Sequence, residues 1–177
     1  MQRLLLGILL ASFIVMPKLL IAGGYGIPMQ GQRYVGMGNI GTGFSLDAAP
    51  IFYNPGGLAM LEEKTSVSLG VSTSFLYNDF SSDTPISTPF HLYASYKIND
   101  KLAAGLGVYT PYGNEIEWEQ DWPGQYLVTQ LDLVGIYFQP TISYQPFEKL
   151  SIGGGPVIAY GHVELKRNQF LDIIGPL

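Results

Sequence analysis

The sequence contains no cysteine, which excludes a disulfide scaffold and any thiolate-held metal. Charge is also scarce. Asp, Glu, Lys and Arg make up 13% of the chain, about half of what a soluble domain carries. The charge present leans acidic, with a formal net of −5 and no basic patch, so nucleic acid is excluded as a partner. Histidine occurs twice, as His91 and His162. The two fall on segments of different parity, with no nucleophile placed beside either. They read as strand-end or girdle residues, and neither an enzyme nor a metal or other cofactor is expected. In place of these features stand 22 Gly, 12 Tyr and 9 Phe, within a composition that is 47% hydrophobic. That is too apolar for disorder. By length alone, 177 residues suit one domain.

Residues 1–22 read as a signal peptide: a basic start at Arg3, an apolar run from Leu4 to Met16, and small residues near Ala22-Gly23-Gly24. A transmembrane helix is the competing reading, but a span needs about 20 apolar residues, and Pro17-Lys18 interrupts this run. Cleavage after residue 22 would remove Arg3 and Lys18. That leaves 7 basic against 14 acidic residues, a net charge of −7.

Five later segments, 65–77, 89–98, 102–113, 130–144 and 150–167, alternate with a period of two. In the first, Val67, Leu69, Val71, Thr73, Phe75 and Tyr77 oppose Ser66, Ser68, Gly70, Ser72, Ser74 and Leu76. In the third, Leu102, Ala104, Leu106, Val108, Thr110 and Tyr112 oppose Ala103, Gly105, Gly107, Tyr109 and Pro111. Each segment has the length a tilted strand needs to cross a bilayer. Tight turns are expected at Asn99-Asp100 and Pro146-Phe147-Glu148, and long polar connections at 78–88 and 114–129. Alternating short and long connections is the habit of outer-membrane barrels. A soluble antiparallel sandwich also alternates, but its strands are shorter, about 5–6 residues, and its surface more charged. The expected fold class is therefore all-β, a transmembrane antiparallel β-barrel (64–177) in the bacterial outer membrane.

Residues 23–63 do not alternate. Gly36-Met37-Gly38-Asn39-Ile40-Gly41 matches G-x-G-x-x-G, yet it lacks the preceding strand, the following helix and the acidic residue of a dinucleotide site. Further on, Asn54 stands where it can cap a short helix opened by Pro55, in the run Asn54-Pro55-Gly56-Gly57-Leu58-Ala59. The stretch from Gly41-Thr42-Gly43 through this run resembles the N-terminal hatch of the FadL/TodX family of outer-membrane transporters. Ile98-Asn99-Asp100-Lys101-Leu102 resembles the family's first periplasmic turn, and Val108-Tyr109-Thr110-Pro111-Tyr112-Gly113 its third strand.

The resemblance implies a 14-stranded barrel blocked by its hatch, carrying long-chain fatty acids or small aromatic hydrocarbons without altering them. Five of those strands are expected here, so the 177 residues read as about the first third of a transporter, a fragment or a prematurely ended reading frame. By position, Tyr112-Gly113-Asn114 matches the family's inward kink, which leaves a lateral opening. The competing reading of Gly113 is a strand end before a loop.

With the apolar faces turned to lipid, Tyr109, Leu131, Leu133, Val163 and Leu165 point into the outer half of the lumen, where an apolar wall suits a greasy ligand. Arg167 continues their parity, and a guanidinium holds a carboxylate bidentately. The resemblance likewise places a basic residue near a fatty acid's head group. A solvated Lys166-Arg167 pair is the alternative. The acidic loop Glu115, Glu117, Glu119 and Asp121 reads as solvated, with calcium or lipopolysaccharide bridging as the sharper option. Expected partners are membrane lipid, lipopolysaccharide and a hydrophobic small molecule, with the protein a monomer. A non-transporting surface barrel is the remaining alternative.

Overall fold

The computed structural model describes residues 26–27, 30–73, 86–119 and 121–169. The expected signal peptide and the outer end of the first predicted strand lie outside the described residues. One antiparallel sheet dominates. It contains β1 (Thr65–Val71), β2 (Phe90–Asn99), β3 (Leu102–Glu117), β4 (Gln130–Phe147), β5 (Leu150–Gly154) and β6 (Ile158–Lys166). The order is β1-β2-β3-β4, after which both β5 and β6 pair with β4.

β5 and β6 together form the fifth predicted strand in two arms. Ile142↔Gly154 and Phe138↔Ile158 bracket the interruption with three residues on each side, so the register passes through unchanged. Its cause is chemical: Pro140 and Pro156 both fall in the gap, and neither has an N–H to give the ladder. β3 and β4 reach 16 and 18 residues, longer than the roughly 9–11 that span a bilayer at a tilt.

The turns differ from expectation by a residue or two. β2 and β3 are joined by Asp100-Lys101, with the Asn99 Oδ1 accepting the N–H groups of Lys101 and Leu102 at 2.9 Å each. The second hairpin turns at Glu148-Lys149, whereas Pro146 and Phe147 belong to β4. There a register shift between Tyr144 and Phe147 accommodates the proline. β3 also runs on to Glu117, so Glu115 and Glu117 are strand residues rather than loop.

The alternation sorts the sheet into two faces. Val67, Leu69, Leu92, Tyr96, Leu106, Phe138, Ile142 and Ile152 remain exposed, while Ser68, His91, Tyr93, Ser95, Ala103, Gln139, Thr141 and Ser143 are buried. A continuous apolar surface of that extent is what lipid covers. A bulge reverses the pattern in β3. Tyr109 pairs with Tyr137 but Tyr112 with Gly135, so three residues of β3 oppose two of β4. Beyond it the parity flips. Tyr112, expected on the outward face with Thr110, shares the inward face with Gly135 and lies 6.2 Å from the inward Tyr137 ring.

The N-terminal segment packs on the inward face through α1 (Gln32–Gly36), α2 (Pro50–Tyr53) and a 3-10 helix (Pro55–Met60). Among the described residues no helix is long and apolar enough to cross a membrane. Tyr34, Ala49, Ile51, Leu58 and Ala59 form one core with Tyr93, Ala103 and Tyr109 of the sheet. Gly105 and Gly107 admit Ile51, since a Cβ on either would stand within 2.9 Å of its side chain. Asn54 does occupy the N-cap position before Pro55, but its side chain makes no capping bond. Its Nδ2 donates instead to the Thr42 carbonyl at 3.0 Å, tying the 3-10 helix to the preceding loop.

Candidate ligand face and wall gap

Four inward polar side chains of the sheet are fasteners. Tyr93, Gln139, Lys97 and Ser143 each donate to a backbone carbonyl or side-chain oxygen of the N-terminal segment, where short helical turns leave carbonyls without internal partners. The Tyr93 hydroxyl donates to Gln30 Oε1 at 2.9 Å, Gln139 Nε2 to the Ile51 carbonyl at 2.9 Å, and Lys97 Nζ to the Leu61 carbonyl at 2.7 Å. Ser143 Oγ donates to the Gly56 carbonyl at 2.7 Å and accepts the Ala59 N–H at 3.2 Å. Within the segment, the Tyr53 hydroxyl donates to the Gln30 carbonyl at 2.6 Å, and the Tyr34 hydroxyl accepts the Leu46 N–H at 2.8 Å. Burial pushes both hydroxyl pKa values up, so both stay neutral.

Tyr109 belongs to this fastened layer. Its hydroxyl donates to Gln139 Oε1 at 2.6 Å and its ring meets Phe52 edge-on, 5.4 Å away. It therefore sits under the N-terminal segment, apart from the other residues expected to meet a ligand. Those others do converge. Leu131 lies directly opposite Leu165, and Leu133 opposite Val163, on the inward face. The β3 side of that patch includes Ile116, opposite Leu131. Ile116 escaped the sequence pattern because the bulge shifts its parity; Pro111 within a strand was the available signal. Arg167 follows the last residue of β6 and is exposed.

The bulge also marks a gap in the wall. Pairing of β2 with β3 stops at His91↔Tyr109. The Thr110 hydroxyl takes the place of the next rung: it accepts the Phe90 N–H at 2.8 Å and donates to the Phe90 carbonyl at 3.1 Å. Above it, the edge of β3 turns to the N-terminal segment. The Ile27 N–H donates to the Pro111 carbonyl at 2.7 Å, and Gln30 Nε2 to the Thr110 carbonyl at 3.3 Å. A groove of about 350 Å³ lies against this gap, lined by Pro89, Phe90, Tyr112, Gly113, Val134 and Ile136, with Glu115 and Asp132 also on its lining. Tyr112, Gly113 and Asn114 thus follow immediately after the bulge, in the stretch of β3 that has lost β2 as a neighbour.

The comparisons with known proteins agree with this architecture. A crystal structure of a Pseudomonas aeruginosa FadL homologue superposes with a TM-score of 0.62 at 17% identity, over 81% of this chain and 39% of that one. This likeness shows the fold. A Neisseria meningitidis serogroup B protein described as an outer membrane protein is 30% identical over 120 residues, 56% of this chain and 25% of that protein. The chain therefore spans about a quarter to two-fifths of the relatives it matches. The family described as outer membrane protein transport protein (OMPP1/FadL/TodX) matches residues 14–175, nearly the whole sequence. The chain belongs to that family of outer-membrane proteins.

Proposed function

We propose that the protein takes part in uptake of hydrophobic compounds across the outer membrane, with long-chain fatty acids as the first ligand class. The observation that carries this reading is the outer inward face. Leu131 and Leu165, and Leu133 and Val163, form paired apolar rows there. A water-filled channel would place polar groups at those positions. An acyl chain gains about 0.8 kcal/mol for each CH₂ buried on such a surface. The alternation that turns Val163 and Leu165 inward continues to Arg167, whose guanidinium is offered to the carboxylate. The N-terminal segment acts as the hatch beneath, and the gap beside Tyr112, Gly113 and Asn114 serves as the lateral exit toward the membrane.

A neutral aromatic hydrocarbon is the second reading. The observation that favours it is the chain of rings at the top of the fastened layer, with Tyr109 5.7 Å from Tyr137 and Tyr137 6.2 Å from Tyr112. The two readings separate on Arg167→Ala. For a fatty-acid carrier, the variant should weaken binding of a saturated long-chain acid by about 10-fold, the worth of a charge-assisted pair, and leave an alkylbenzene of equal length unaffected. Equal losses for both ligands, or none for either, would remove the carboxylate role.

A further inference from the structure

The outward face of β4 and β6, beside the wall groove that Asp132 also lines, holds a group of side chains with no part in the proposed ligand face. His162 and Glu164 are two apart on β6 and so share a face. Asp132 lies directly opposite Glu164, and its neighbour Val134 opposite His162, which sets Asp132 beside both. This is the face opposite Leu133 and Val163. One ligand atom from each of Asp132, His162 and Glu164 lies within 4.8 Å of the others. Metal–nitrogen and metal–oxygen bonds of about 2.0–2.2 Å bring such a trio onto one ion with only small side-chain rotations.

Charge argues the same way. Glu115 stands opposite Asp132 from the β3 side, so Glu115, Asp132 and Glu164 form one cross-strand row. Like charges directly opposite each other repel. The neighbouring contacts engage only the ends of that row. Lys166 Nζ lies 3.4 Å from Glu164 Oε1 and donates to Gln130 Oε1 at 2.7 Å, and Gln130 Nε2 donates to Glu115 Oε1 at 2.9 Å. Asp132, in the middle of the row, and His162, beside it, make no side-chain hydrogen bond or ion pair among the described residues. A row of carboxylates alone would suit any cation. The His162 imidazole beside it selects against Ca²⁺ and Mg²⁺ and toward Zn²⁺ and its first-row neighbours.

We propose that Asp132, His162 and Glu164 bind one divalent transition ion of the Zn²⁺ type on the outer wall. Three protein ligands leave further positions open to water. The ion clips β4 to β6 on the outer side of the interruption at Pro140 and Pro156, where the two strands have lost their ladder.

The test is calorimetric titration of Zn²⁺ into the protein extracted into detergent, together with its thermal unfolding. Saturable one-to-one binding and a Zn²⁺-dependent rise in Tm are expected. Loss of an outer partner of a metal ligand already weakens binding about 10- to 100-fold, so His162→Ala and Asp132→Asn should each weaken it by at least that and remove the rise in Tm. Both positions face outward from the sheet, so the Tm without metal should hold. Glu115→Gln, in the row but outside the trio, should bind within about 2-fold of the parent if it is not a ligand. Absence of saturable binding, unchanged affinity in His162→Ala, or displacement of Zn²⁺ by excess Ca²⁺ would each overturn the proposal.

Discussion

The same strands behave differently on either side of Tyr109. Toward the short turns, the inward face is polar and occupied: Tyr93, Gln139, Ser143 and Lys97 each reach the N-terminal segment. Toward the long connections the inward face is apolar, with Val163 and Leu165 more than half exposed. Polar inward residues in a barrel are usually taken to line water. Here they satisfy the backbone of the packed segment, because a buried carbonyl without a partner costs about 1–3 kcal/mol. The difference between the halves therefore reflects what each half meets: polypeptide on one side, and on the other the face proposed to take the ligand. His91 is the exception in the occupied half, since its Nε2 is buried without a partner among the described residues.

Three experiments press on this contrast, beginning with its boundary. An ideal Cβ at Gly113 lies 3.6 Å from Ser87 Oγ, near enough for the two positions to be joined by a short crosslink, and the sequence has no other cysteine to interfere. Oxidised Ser87→Cys/Gly113→Cys should abolish uptake while leaving ligand binding intact, and reduction should restore it. Uptake through the closed bridge would mean that the gap is not the exit. Next, Ile51→Ala should destabilise the docked segment by about 2–5 kcal/mol, as emptying a packed site does. Hydrogen exchange of amides 30–61 would report it, with fatty-acid affinity unchanged. A parallel fall in affinity would show that the halves are coupled. Smallest of the three, His91→Phe should leave docking unchanged or strengthen it by about 1 kcal/mol, because it removes an unsatisfied buried group while keeping a ring against Tyr93. A clear loss of protection would give that nitrogen a role.

Period-two alternation made the two faces of the sheet readable in advance, since Val67, Leu69, Leu106, Ile142 and Ile152 announce an outward side without any knowledge of neighbours. It failed where one extra residue enters. Thr110-Pro111 reverses everything after it in β3, so Tyr112 changes sides and Ile116 joins Leu131 on the inward face unforeseen. The role of Tyr109 was hidden for another reason. Its parity is correct, but only tertiary packing reveals that Phe52 and Gln139 claim it. The trio of Asp132, His162 and Glu164 was invisible because its members lie on two segments whose register no local pattern sets.

The interruption at residues 155–157 has a consequence for how this sequence can vary. Ladder bonds are missing there, and the adjoining Gly154 has open space around it, so a side chain should be accepted at that position, whereas a Cβ on Gly155 would overlap the Pro140 carbonyl oxygen. Length is another matter. The three residues opposite Gln139, Pro140 and Thr141 keep Ile158 and Tyr160 in phase with Ile152. Insertion or loss of one residue would turn the lipid-facing side chains of β6 into the lumen and its ligand face out to the bilayer. Natural variants of this protein should therefore keep Gly155 and almost never change the number of residues at this site.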